Sequence, residues 1–253
     1  MNCTVHDVYA MIDAFAPFDT ATEGDNVGLL VGRMDRPVSR ILTAIDVTPG
    51  LLHEAERICA TLIVAHHPLL FTPTQRLDEA EPESALIAGM IRSGISFIAA
   101  HTNLDLAEGG VNDALLARLG LSAVTKEGFV SFGAFEHPIR LAELASRVER
   151  QLGARVSPYG AADRMLSRFA SCCGSGGVEV GTAASLGADV FITGEIKYHQ
   201  VLDALARGMS VIAAGHFETE ICSADLLAKH LQSAANALQF ELEVYVSSVD
   251  PLK

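Results

Sequence analysis

The chain has 253 residues, 49% hydrophobic and 19% charged, a balance that excludes a disordered polypeptide and leaves enough chain to bury a core without disulfides or a structural metal. Lys plus Arg is 18 against 31 Asp plus Glu, a formal charge of −13, which argues against general binding to nucleic acid or to an anionic membrane, since both need a basic surface. Cys3, Cys59, Cys172, Cys173 and Cys222 are odd in number and form no CxxC, so neither a disulfide framework nor a thiolate zinc knuckle fits, and a reducing compartment does.

The N-terminal MNCTVHDVYA lacks a basic stretch followed by an apolar block, and no apolar run reaches about 18 residues, so a cytoplasmic protein with no signal peptide and no membrane span is expected. Val5, Val8, Tyr9, Ile12 and Phe15 recur at helical spacing and Pro17 ends that run; Glu23–Gly32 follows as a turn-rich stretch. Ile41–Asp46 reads as a strand, and Thr48 caps a helix with Pro49 at its first position. Thr61–Ala65 reads as a strand, Glu83–Arg92 as a helix, Ile95–Ala100 as a strand and Val111–Leu119 as a helix. Apolar strands alternating with helices point to an α/β protein with a parallel sheet covered by helices. The pattern is less clear from Glu127 to Arg168, where Glu127–Phe135 resembles a strand and Leu141–Leu152 a helix. Arg168–Cys173, Val190–Thr193 and Ser210–Ala214 then read as strands, with helices at Val178–Leu186, Val201–Arg207 and about Phe217–Leu231. Phe240–Val246 alternates as an edge strand does. A weak repeat pairs Gly94–Ala100 with Gly208–Ala214, and Ala60–Val64 with Ala188–Ile192, suggesting two related halves.

Histidines collect just after predicted strands. One strand runs into His66-His67-Pro68, another into His101-Thr-Asn-Leu-Asp105, a third into Gly215-His216-Phe-Glu-Thr-Glu220. Ligands bind outside the carboxyl ends of strands in open parallel sheets, and imidazole with carboxylate is a donor set for Zn, Mn, Fe or Ni. His216 and Glu220, four apart, share one helix face. Gly194-Glu195-Ile-Lys197-Tyr198-His199 follows a further strand of this kind and is placed to line the same pocket. The turn Gly174-Ser-Gly-Gly177 reads as a tight strand–helix turn or as an anion cradle. A serine-hydrolase GxSxG elbow is absent.

Taken in order, DNVGLLVG, AIDVTP, LIVAHHPLLF, AAHTNLDLAEGGVNDALL, CGSGG, ADVFITGEIKYH and AGHFETE resemble the sequence blocks of the NIF-three-like dinuclear-metal family, whose bacterial members are labelled GTP cyclohydrolase 1 type 2 homologues. Gly24 departs from the Trp of many relatives and Glu195 from their usual Asp. The resemblance implies two interlinked α/β domains of similar fold, each with a mixed or parallel sheet flanked by helices. They would cover about residues 1–125 and 126–253, with no inserted domain. It also implies two divalent ions per chain held by His66, His67, Asp105, His216 and Glu220, and a toroidal homohexamer. One apportionment gives His66 and Asp105 to one ion and His67 and His216 to the other, with Glu220 bridging. His101, Glu195, Lys197 and His199 are then candidates for proton transfer or substrate binding. The expected function is a metal-dependent hydrolase of a small, nucleotide-like substrate such as GTP, in which a hydroxide shared by the ions is the nucleophile. A phosphoester or nucleotide hydrolase, and a non-catalytic metal-storage, metal-delivery or scaffold protein, are the alternatives.

Overall fold

Thr4 starts the first helix through its side chain. Its Oγ1 accepts from the Asp7 N–H at 3.3 Å, and the Asp7 carboxylate accepts from the Thr4 N–H at 2.8 Å, a reciprocal cap that satisfies two otherwise unpaired donors. The protein, a computed structural model describing residues 2–252, continues from there in chain order. Its elements are β1 (Cys3–Thr4), α1 (Val5–Phe15), β2 (Gly28–Val31), β3 (Pro37–Val38), β4 (Arg40–Ala44), α2 (Pro49–Arg57), β5 (Leu62–Ala65), α3 (Pro82–Arg92), β6 (Ser96–Ala99), α4 (Thr102–Leu106) and α5 (Val111–Leu119). Next come β7 (Thr125–Glu127), β8 (Val130–Arg140), α6 (Leu141–Leu152), β9 (Ser157–Tyr159), β10 (Met165–Cys172) and α7 (Val180–Ser185). The chain closes with β11 (Val190–Thr193), α8 (Tyr198–Ala206), β12 (Ser210–Ala213), α9 (His216–Glu220), α10 (Cys222–Ala237) and β13 (Glu243–Val246).

The fold is mixed α/β, and the chain forms two compact units. The first comprises residues 1–108 and 223–253, the second residues 109–222. In the first, five strands run in the order β13-β4-β5-β6-β2, parallel except for β2. In the second, six strands run β7-β8-β10-β11-β12-β9, with β10, β11 and β12 parallel and the outer strands antiparallel. Strands β5, β6 and β11 are buried along their whole length, as strands covered on both faces by helices must be.

The expected helices at 5–15, 111–119 and 141–152 appear with those bounds, and Thr48 caps α2 by accepting from the Leu51 N–H at 3.2 Å. Differences have local causes. The turn-rich stretch ends in a strand, β2, at the sheet edge beside β6. The short, exposed β9 was not expected; Pro158 sits within it, which only an edge strand tolerates. The long helix expected from Phe217 is two helices, α9 and α10, separated at Ile221. Thr219 Oγ1 donates back to the carbonyls of Gly215 and His216, both at 2.9 Å, a competition that bends helices. The compact units also divide differently from a simple cut near 125. The last thirty or so residues return to the first unit, where β13 pairs with β4 and Thr43 Oγ1 donates to the Ala224 carbonyl at 2.9 Å.

The internal repeat is reproduced in strand register. Leu62 faces Ser96 across β5 and β6, and Val190 faces Ser210 across β11 and β12. Ile41 faces Leu62 just as Phe169 faces Val190. Each half also needs a glycine against the equivalent serine: Gly32 has φ +110° and a Cβ there would run into Ser96 Oγ, while Gly160 has φ +132° and a Cβ would lie 2.6 Å from Ser210 Oγ. Gly32→Ala and Gly160→Ala are each expected to destabilise the protein by about 1–3 kcal/mol through backbone strain and this clash. Thermal unfolding measures it, with about 2–4 °C lost per kcal/mol; unchanged melting in both would contradict the assignment.

Candidate metal centre

In the first unit, the carboxyl ends of β5 and β6 carry His66, His67 and His101, and one ring nitrogen of each lies within 4.8 Å of the others. Parallel pairing of the two strands puts these ends side by side. The Nδ1 of His66 faces the Ala100 carbonyl at 2.9 Å, that of His67 faces Asp46 Oδ1 at 2.7 Å, and that of His101 faces Asp25 Oδ1 at 2.9 Å. An oxygen acceptor at Nδ1 calls for a proton there and leaves Nε2 as the coordinating atom of each neutral ring. His66 is fully buried, and its Nε2 lies 3.7 Å from Asp105 Oδ1 on α4. Asp25 is held in turn: its Oδ2 accepts from the Thr102 N–H at 3.1 Å and from Thr102 Oγ1 at 2.5 Å. Burial disfavours the charge of Asp25, but hydrogen bonds from His101 and Thr102 outweigh it and hold the carboxyl at about 2.

In the second unit, Gly215 turns the chain with φ +89° into α9, whose first and last residues are His216 and Glu220. The two meet one helical turn apart, with His216 Nε2 2.9 Å from Glu220 Oε2. His216 Nδ1 lies 3.1 Å from Glu195 Oε2, which also accepts from Ser175 Oγ at 2.9 Å. The His216 ring, then the Ser175 hydroxyl, lower the Glu195 carboxyl below the usual range. Glu220 is buried at 4% exposure, and Gly174, at φ +56°, passes so close that a Cβ would run into Glu220 Oε1.

These sets fit divalent metal. With Nδ1 committed as a donor, a neutral His216 turns its Nε2 lone pair toward a carboxylate oxygen; two acceptors at that distance need a proton or a cation beside them. The donors are neutral imidazole and carboxylate, and each imidazole is oriented from behind by a carboxylate or carbonyl, as metal-ligating histidines are.

Of the residues singled out in the sequence, His66, His67, His101 and Asp105 come together in the first unit, and Glu195, His216 and Glu220 in the second. His101, expected only as a proton-transfer or substrate-binding group, is placed as a potential donor. Lys197 is exposed and lines a cavity together with Glu195. His199 is exposed on the first turn of α8 and is not among the residues lining that cavity. The sequence reading missed Asp25 and Asp46 as partners of histidine, although Asp46 closes a predicted strand and Asp25 lies in the DN pair that opens the first family block. The glycine turn at 174–177 meets the close-packing requirement: Cβ atoms at Gly176 and Gly177 would collide with Thr193, Cys172 and Gln200.

A sequence model of Duf34/NIF3 (NGG1p interacting factor 3) matches residues 3–252. A Clostridium acetobutylicum protein named GTP cyclohydrolase 1 type 2 homolog is 33% identical, the match covering 100% of this chain and 99% of that one. A Campylobacter jejuni protein of the same name is 33% identical over 90% of this chain and 91% of its own. Among solved structures, Staphylococcus aureus hypothetical protein SA1388 superposes with a TM-score of 0.92 at 27% identity, over 99% of this chain and 98% of that one.

The carboxylates behind the imidazoles set a measurable expectation. Asp46→Ala should weaken Zn²⁺ or Mn²⁺ binding by about 10–100-fold, the usual cost of removing such a partner, with unchanged circular dichroism. Titration calorimetry on chelator-stripped protein reads it, and wild-type affinity in the variant would count against Nδ1 anchoring.

Proposed function

The chain belongs to the Duf34/NIF3 family, and on that footing we propose that it is a metal-dependent hydrolase that holds two divalent ions per chain with His66, His67, Asp105, His216 and Glu220. The observation that carries the proposal is the shared arrangement of four imidazoles, His66, His67, His101 and His216, each with Nδ1 held by an oxygen. Five donors cannot saturate two ions, and open positions are what a catalytic rather than a structural site keeps. Bound there, Zn, Mn, Fe or Ni would supply Lewis acidity and activate water near neutral pH.

The chain's own groups do the rest. Asp25, Asp46 and Glu195 hold ring orientation, His101 stands within reach of the imidazole cluster as a further donor or a proton carrier, and Lys197 offers positive charge to substrate. His199 has the weakest claim of the four candidates. The names of the relatives support a nucleotide substrate, with GTP opened at the purine C8 as the reaction to test. We further propose a homohexamer working in the cytoplasm, in keeping with the odd number of cysteines and with the absence, among the described residues, of a helix long and apolar enough to cross a membrane.

His66→Ala and His216→Ala should each remove at least one ion per chain by elemental analysis; full metal content in both would refute the ligand set. GTP consumption should require added metal and disappear in Glu220→Gln. No turnover across a panel of nucleotides and phosphoesters, combined with ready transfer of metal to an apo-protein, would replace the hydrolase by a metal-delivery protein. Light scattering should give a multiple of the 26.8 kDa chain mass, and a monomer would contradict the assembly.

A further inference from the structure

The second unit contains a cavity of about 550 Å³ whose lining includes Ser175, Gly177, Glu195, Ile196, Lys197 and Gln200. We propose that it binds a phosphate group of the substrate, with the Lys197 ammonium as counter-charge. The inference rests on the hydrolase reading for the identity of the substrate, and on the cavity itself for the phosphate.

Two turns build the cavity. The loop after β11, Gly194–Lys197, lies against the turn after β10, and the glycines allow the approach: a Cβ at Gly194 would lie 2.5 Å from the Gly174 carbonyl and 2.7 Å from Thr219 Oγ1. The Glu195 and Gln200 side-chain oxygens on its wall are already engaged. Glu195 accepts from His216 Nδ1 and Ser175 Oγ. Gln200 Oε1 accepts from the Lys197 N–H at 2.8 Å, which fixes the backbone from which the lysine side chain leaves. Lys197 is exposed and forms no ion pair among the described residues, whereas Lys126 is paired with Asp113 and Arg207 with Asp203. It is the one cation of the cavity lining, in a chain of net charge −13 whose field repels anions.

Such an ammonium suits phosphate. It is a compact point charge with three rotatable donors, and lysine is a recurrent partner of phosphate in that role. The Ser175 hydroxyl and the Glu195 carboxylate belong both to the cavity lining and to the hydrogen-bond chain that ends on His216. A phosphate seated at Lys197 therefore shares a cavity wall with Glu195, the hydrogen-bond partner of His216.

Calorimetric titration with GTP, inorganic triphosphate and guanosine, on chelator-stripped and on Mn²⁺-loaded protein, tests this. Lys197→Met should weaken GTP and triphosphate roughly tenfold in both metal states. Guanosine binding and metal content should stay at wild-type levels. Lys197→Arg should recover most of the affinity, and Lys229→Met, which removes an exposed charge on α10, should change nothing. Equal affinity in wild type and Lys197→Met overturns the proposal, as does triphosphate binding that vanishes with the metal and ignores Lys197, or no triphosphate binding by wild type at all. Failure of the metal reading shows separately, as wild-type protein that retains no ion after Mn²⁺ loading.

Discussion

The hydrogen bond at Nδ1 is the constraint on which the chemistry of this protein depends. An imidazole coordinates a cation only through the nitrogen that carries no proton, and the position of that proton is set by what the other nitrogen faces. Here the answer is the same four times: a carbonyl for His66, and carboxylates for His67, His101 and His216. Three of those acceptors arrive from strand ends and the loops that follow them. The Ala100 carbonyl leaves β6, Asp46 follows β4, and Glu195 follows β11. A parallel sheet is what gathers such ends on one edge, so the sheet order is itself a condition for the tautomers.

The two matching strand patterns carry different chemistry. Strand register makes the position after Ala65 equivalent to the one after Thr193, so His66 and His67 correspond to Gly194 and Glu195. In the same way, α4 starting at Thr102 corresponds to α9 starting at His216. The first copy can place a buried ring after its strand. The second cannot, because a Cβ at Gly194 would press on the Gly174 and Gly215 carbonyls and on Thr219. That tight crossing leaves the second copy one imidazole and two carboxylates, and opens beside them the cavity lined by Lys197. The first copy brings three imidazoles together, the second one.

Much of this was legible because it is written in local signals. Thr48 before Pro49, the helical spacing of Val5 to Phe15 and the apolar runs before His66, His101 and His216 each fix an element within a residue or two, and the histidines follow from where those runs stop. What was not legible depends on partners distant in sequence. Asp25 is 76 residues from His101 and looks like an ordinary turn residue until α4 places Thr102 against it. The return of β13 to β4 spans 203 residues, marked by the Arg40–Glu243 pair at 2.8 Å, and no composition shift announces it. The break at Ile221 comes from one hydroxyl, Thr219, competing for carbonyls that a helical pattern assumes are taken.

The buried acids explain why a cation belongs in this arrangement. Glu220 and Asp105 have side chains only 6% and 10% exposed, and each lies beside the Nε2 of a histidine. Burying a carboxylate is costly unless charge or hydrogen bonds compensate it, and a neutral imidazole whose proton sits on Nδ1 offers its neighbour a lone pair. A second proton on the ring, or a metal ion between nitrogen and oxygen, supplies compensation of this kind. The two compete, which is why metal affinity at such sites falls as pH falls. The carboxylates behind the rings act on both sides of that competition, since Asp46 and Glu195 stabilise an imidazolium and also raise the basicity of a ring bound to metal. Protons alone would make this a cluster of ion pairs. The convergence of rings with fixed tautomers, rather than rings free to turn, is the feature that favours the metal.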